Sequence, residues 1–229
     1  MRELRVTWLA GTVMLVLFGA GQHVAVSQTD SKSLVPRVYA ALSRAGDNRP
    51  QLERALKEVA SEHRAGMQFL IAYMPEKDLK SLSADYLLEN VRYAYQAWNQ
   101  SAWKEKIPVE VFLNNVLPYA SITEQREEWR KQFCERFSPL VKDAKSPGEA
   151  AAILNRAVFG QLKVKYSTQR KRADQGPLES MESGLASCTG LSVILIDACR
   201  SVGVPARFVG TPLWSDESGN HSWVEVWDD

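Results

Sequence analysis

The chain has 229 residues, of which 45% are apolar and 24% charged, with 28 basic and 27 acidic side chains. That composition is ordinary for a globular protein of one large domain or two small ones, with enough apolar residues for a sizeable core. A charge balance so close to zero argues against a nucleic-acid or polyanion partner, leaving room only for a local patch.

The N-terminus reads as an export signal. Met1 to Arg5 carries charge, Val6 to Ala20 is mostly apolar, and Ala25-Val26-Ser27 offers small residues for a cut before Gln28. The apolar run falls short of the roughly 20 residues that span a bilayer, so no integral span is expected once the signal is removed. Residues 1–27 are therefore assigned to a signal peptide, and the mature protein is expected to be periplasmic or secreted. Losing Arg2, Arg5 and Glu3 with the leader leaves 26 basic against 26 acidic residues.

From Leu34 to about Phe159 the pattern is that of successive amphipathic helices, giving a helical region over residues 28–159. Pro36 and Pro50 suit first-turn positions, and Ser83 suits the cap of a helix carrying Leu87, Val91, Tyr95 and Trp98. Thr123 is expected to cap the next helix, on which Trp129, Phe133 and Phe137 recur every four residues along one face. Ser146-Pro147-Gly148-Glu149 has the form of a capping box and opens a helix through Leu154 and Val158. These aromatic stripes suit a core better than a ligand box.

After Gly160 the pattern changes. Lys163 to Tyr166 reads as a short strand and Ser167 to Ser183 as loop, its Arg170-Lys171-Arg172 triplet reading as solvated surface. An apolar helix then runs from Cys188 to Gly203, a strand covers Ala206 to Gly210, and Pro212 to Asn220 forms a loop. The final strand alternates strictly: His221, Trp223, Glu225 and Trp227 share one face, with Ser222, Val224 and Val226 on the other. Asp228-Asp229 reads as the opening of a turn, which would put a returning strand beyond Asp229.

The chemistry centres on Cys188, in Ala186-Ser187-Cys188-Thr189-Gly190-Leu191, where a run of small residues enters the apolar helix. A thiol on the first turn faces unpaired backbone N–H groups and the positive end of the helix dipole. Both favour thiolate over thiol and can hold an oxyanion forming at a carbonyl the sulfur attacks. His221, 33 residues on, opens the alternating strand. Nucleophile on a helix and base on a strand is a catalytic arrangement. Asp228, seven residues on, points to the opposite face and Asp229 lies too far along the strand to orient that imidazole, so the orienting residue is expected beyond the end of this sequence. Cys188 and Cys199 lie about 16 Å apart along a helix, too far for a disulfide, and Cys134 and Cys199 read as core. Trp223 is expected to pack beside the imidazole. Trp214 suits either the wall of an acyl-binding groove or an anchor for its own loop.

No metal is expected: His221 and Glu225 are too far apart on a strand to share an ion, His23 lies in the leader and His63 in a polar helix. No phosphate-binding glycine loop and no Gly-x-Ser-x-Gly elbow occurs, so no cofactor is expected.

Three motifs, Ser187-Cys188-Thr189-Gly190, Gly203-Val204-Pro205-Ala206-Arg207 and His221-Ser222-Trp223-Val224-Glu225-Val226, resemble the transglutaminase-like superfamily of papain-like thiol enzymes. The resemblance covers about residues 160–229 and implies an α+β architecture: a helical N-terminal region followed by a partial papain-like transglutaminase core, with a helix packed on antiparallel sheet. It implies a Cys-His-Asp triad in which Cys188 is nucleophile and His221 base, the third member having no matching position. The implied activity is hydrolysis of a peptide or amide bond through a thioester acyl-enzyme, in preference to transamidation, with a protein or peptide as substrate. The alternative is a non-catalytic cell-envelope module that uses the same fold to bind a peptide or glycan. Oligomeric state is not legible.

Overall fold

A computed structural model describes residues 15–18, 31–217 and 219–228. The expected cleavage site at Ala25 to Gln28, together with His23, lies outside the described residues. In chain order the elements are β1 (Leu15–Phe18), α1 (Ser31–Arg44), α2 (Arg49–Glu58), α3 (Arg64–Ala72), α4 (Glu76–Leu79), α5 (Ala84–Gln100), α6 (Val109–Asn115), α7 (Arg130–Val141) and α8 (Pro147–Leu162). There follow β2 (Lys165–Tyr166), α9 (Pro177–Ser183), β3 (Leu185–Ala186), α10 (Cys188–Ser201), β4 (Ala206–Thr211) and β5 (His221–Trp227). The class is α+β with a helical N-terminal region. Among the described residues no helix is long and apolar enough to cross a membrane.

Helix α10 organises the molecule. Its run Leu191, Val193-Ile194-Leu195-Ile196 and Ala198 is apolar all round, and every residue from Gly190 to Ser201 is buried. One side packs on α5, α7, α8 and α9, the other on β4 and β5. β4 and β5 pair antiparallel, with Gly210 opposite Ser222 and Thr211 opposite His221. Ser222, Val224 and Val226 are buried towards the helix while His221, Trp223, Glu225 and Trp227 are partly exposed, as the alternation requires. β5 has a second neighbour within the chain: β1 lies parallel to it, Leu15 opposite Val224, so the sheet is mixed. A single cluster of buried apolar residues runs from Leu34 to Val226 and takes in both the helical region and the α10 layer.

The caps explain where helices begin. Ser83 accepts from Tyr86 N, and Ser146 from Glu149 N. Glu149 reaches back to the N–H of Lys145, one residue outside the usual box partner. The same helix end receives Asp228, whose carboxylate accepts from Gly148 N at 3.1 Å. Asp228 is thus engaged at α8, seven positions along from His221.

Four expectations are corrected. Pro36 lies inside α1, which begins at Ser31. Thr123 caps no helix: α7 starts at Arg130, and Thr123 donates to Asp174, because Glu124 folds back to accept from Ser121 N and Ile122 N and holds this stretch in a turn. The 167–183 segment contains α9, whose first N–H groups, at Leu178 and Glu179, are capped by the distant Glu127 carboxylate. His63 ends a short 3-10 turn and stacks on Tyr95, with ring centroids 4.1 Å apart.

Two buried arginines fix the irregular stretch between α6 and α7. The Arg130 guanidinium donates to the carbonyls of Val116, Leu117 and Pro118 and to Asn90 Oδ1. Arg200, on α10, donates to Asn115, Ala120 and Ala206 carbonyls. Arg130 also reaches the Arg200 carbonyl at 3.2 Å, and Trp103 Nε1 donates to Gly203 O at 2.8 Å. A loop whose carbonyls would otherwise lack donors is thereby satisfied jointly from α7 and from α10, the helix that bears Cys188.

Candidate active site

Cys188 is the first residue of α10. Ser187 sets that position: it is extended, its Oγ accepts from Gly190 N at 3.1 Å, and its hydroxyl donates to Ala173 O. Leu191 N bonds Ser187 O, so the intrahelical ladder starts one turn in. Among the described residues the N–H groups of Cys188 and Thr189 make no hydrogen bond, leaving uncompensated donors at the helix end that bears the sulfur.

A cavity of about 750 Å³ opens there, lined by Cys188 and Thr189 from α10, His221 and Ser222 from β5, Tyr166 from β2 and Arg170 from the segment after it. Cys188 and His221, the two residues the sequence singled out, therefore share one cavity. A hydrogen bond links their neighbours: Thr189 Oγ1 and Ser222 Oγ are 3.1 Å apart, which is the one side-chain hydrogen bond between α10 and β5 among the described residues. Gly210 keeps the opposite strand bare; a Cβ there would stand 3.2 Å from His221 O and 3.5 Å from Ser222 Oγ.

Trp223 packs beside the imidazole as expected, with ring centroids 6.2 Å apart. Trp214 completes a triangle of rings, 6.3 Å from His221 and 6.4 Å from Trp223. It also closes its own loop, since Trp214 N donates to Gly219 O and Trp214 O accepts from Glu217 N. Trp214 is outside the cavity lining, so the anchoring role is the one the structure supports. Among the described residues no side chain hydrogen-bonds the His221 ring.

The three cysteines are free. Cys134 and Cys199 are buried in the core, and burial pushes the Cys199 thiol up to about 12; Cys188 alone is partly exposed. No group of three or more His, Cys, Asp or Glu side chains capable of holding a metal occurs among the described residues.

The sequence did not point to the second wall of the cavity. Tyr166 and Arg170 reach it because β2 pairs with β3 immediately before Cys188, with Ser167 N bonded to Ala186 O. A two-residue ladder leaves no periodicity to read. A family model described as the transglutaminase-like superfamily matches residues 135–229. This part of the chain is similar to that superfamily, whose members are generally thiol enzymes, and the match suggests a cysteine-protease-like fold here. The match begins within α7, upstream of the motifs, and so includes α8, which packs on α10. No curated protein and no solved structure matches the chain.

Proposed function

We propose that the protein is a thiol hydrolase that cleaves a peptide or amide bond, with Cys188 as nucleophile and His221 as acid and base. The observation that carries this reading is the shared cavity, whose lining includes both Cys188, at a helix N-terminus, and His221, at the start of a strand. His221 takes the thiol proton and Cys188 Sγ bonds the carbonyl carbon. The C=O electrons move to oxygen, which the free Cys188 N–H receives. As the intermediate collapses, the C–N bond breaks and the amine leaves with the proton from His221. Water then gives a proton to His221 while its oxygen attacks the thioester. The C–S bond breaks, releasing a carboxylic acid and restoring the thiol. The charged and apolar N-terminal segment supports placing this activity outside the cytoplasm.

The test is alkylation by iodoacetamide near neutral pH, followed by mass spectrometry. Cys188 should react fastest of the three cysteines, and His221→Gln should slow it about tenfold or more, within the range general-base assistance supplies. Equal rates in the wild type and His221→Gln would dissolve the pair. Cys188→Ala should abolish turnover of peptide amides with the circular dichroism unchanged.

A further inference from the structure

The basic triplet Arg170-Lys171-Arg172 does not behave as one solvated patch. Lys171 is exposed and lies 3.5 Å from Glu182, and Arg172 is exposed and pairs with Glu179 at 2.9 Å, both acids belonging to α9. Arg170 is different: it is half-buried, lines the Cys188 cavity and pairs with no acid among the described residues. Among the described residues its side chain makes one hydrogen bond, from Nη1 to Thr168 O at 2.8 Å, which steadies it and leaves the rest of the guanidinium fork for a ligand. Of the fourteen residues lining the cavity none is a carboxylate, and Arg170 is the one with a fixed charge. The rest of its surroundings are apolar or uncharged, Phe208, Leu191 and Asn220 among them. A guanidinium on the wall of a concave site, without a counter-charge, favours a planar anion that it can grip with two parallel N–H bonds.

We propose that Arg170 reads a carboxylate on the substrate, so that the compound presented to Cys188 is an acidic peptide with that carboxylate close to the scissile carbonyl. This deepens the hydrolase reading and rests on the same cavity. The carboxylate has two possible sources, an acidic side chain or the free end of a peptide, and both present the same group to the fork.

The experiment separates this claim from the catalytic one by using a reaction that needs only the thiol. Cys188 is alkylated at pH 8.5 by iodoacetate, which carries a carboxylate, and by iodoacetamide, its neutral analogue, and the ratio of the two rates is read by mass spectrometry. In the wild type the ratio should exceed that of a free cysteine peptide. In Arg170→Gln it should fall by about fivefold or more, as expected for loss of a charge-assisted pair, with Arg170→Lys intermediate. Any attraction from the His221 imidazolium survives in Arg170→Gln and cancels from the comparison. A ratio unchanged in Arg170→Gln, or a Cys188 that neither reagent reaches, overturns the proposal even if the hydrolase stands. Conversely, the ratio can collapse in Arg170→Gln while no peptide is ever turned over, which would sink the hydrolase reading alone. Protection of Cys188 from iodoacetamide by acetyl-Ala-Glu-Ala-amide assigns the side chain as source, and protection by acetyl-Ala-Gln-Ala with a free terminus assigns the terminal carboxylate. Protection by neither overturns the assignment.

Discussion

The hydroxyl pair between Thr189 and Ser222 should register as a measurable coupling between the helix of the candidate nucleophile and the strand of the candidate base. The two oxygens are 3.1 Å apart; Ser222 is 7% exposed and Thr189 is only partly buried. Thr189→Val keeps the shape but leaves a buried serine hydroxyl without its partner, a loss of about 1–2 kcal/mol. Ser222→Ala leaves the threonine hydroxyl able to turn towards water in the cavity, so it should cost nearer 0.5–1 kcal/mol. In the double variant no polar group is stranded, and its loss should fall short of the sum by about 1 kcal/mol. Urea unfolding of the four proteins, at constant m-value, gives the cycle directly. Additivity within about 0.3 kcal/mol would refute the reasoning, since independent sites behave that way.

Two further outcomes follow from the core. Asp197 is buried on α10 with neither carboxylate oxygen hydrogen-bonded, and burial, reinforced by Glu124, raises it well above the usual carboxylate range against the pull of Arg200 and Arg130. A folded state that keeps this proton longer than the unfolded chain loses stability as pH rises from about 4, the unfolded value, towards the folded one. Asp197→Asn lacks that linkage, so its denaturation midpoint relative to wild type should climb between pH 4 and pH 8, and a constant difference would count against the assignment. Gly203 has φ of +79°, and a Cβ there would meet Ala97 O at 2.7 Å. Gly203→Ala should therefore cost about 2–4 kcal/mol by urea unfolding, combining left-handed strain with a backbone clash; a loss below about 1 kcal/mol would show that the α5 end yields easily.

What was legible in the sequence was whatever physics writes locally. Ser83 and Ser146 announce their helices because a cap and its N–H partner lie within three residues. The Trp129, Phe133 and Phe137 stripe is buried as its period requires, and β5 alternates residue by residue. Cys188 and His221 were legible for the same reason, each standing at the start of a strongly patterned element. Illegible features depend on partners far along the chain. Thr123 looked like a cap until Glu124 turned back on its own backbone, and α9 takes its cap from Glu127, some fifty positions earlier. Arg170 was read as part of a charge run because only the α9 acids distinguish it from Lys171 and Arg172.

The carbonyl-gripping arginines bear on how this protein can be dissected. Arg200 rides on α10, yet besides Ala206 the carbonyl oxygens it serves belong to Asn115, Pro118 and Ala120, and Arg130 returns the favour from α7 to the Arg200 carbonyl. Excising a piece from Gly160 onward would leave the Arg200 guanidinium with the Ala206 carbonyl alone, while the remainder would keep a bend whose oxygens had lost half their donors. The helices before the motif therefore act as the other jaw of the clamp that holds the far end of α10, and the smallest stably folded unit is expected to include them.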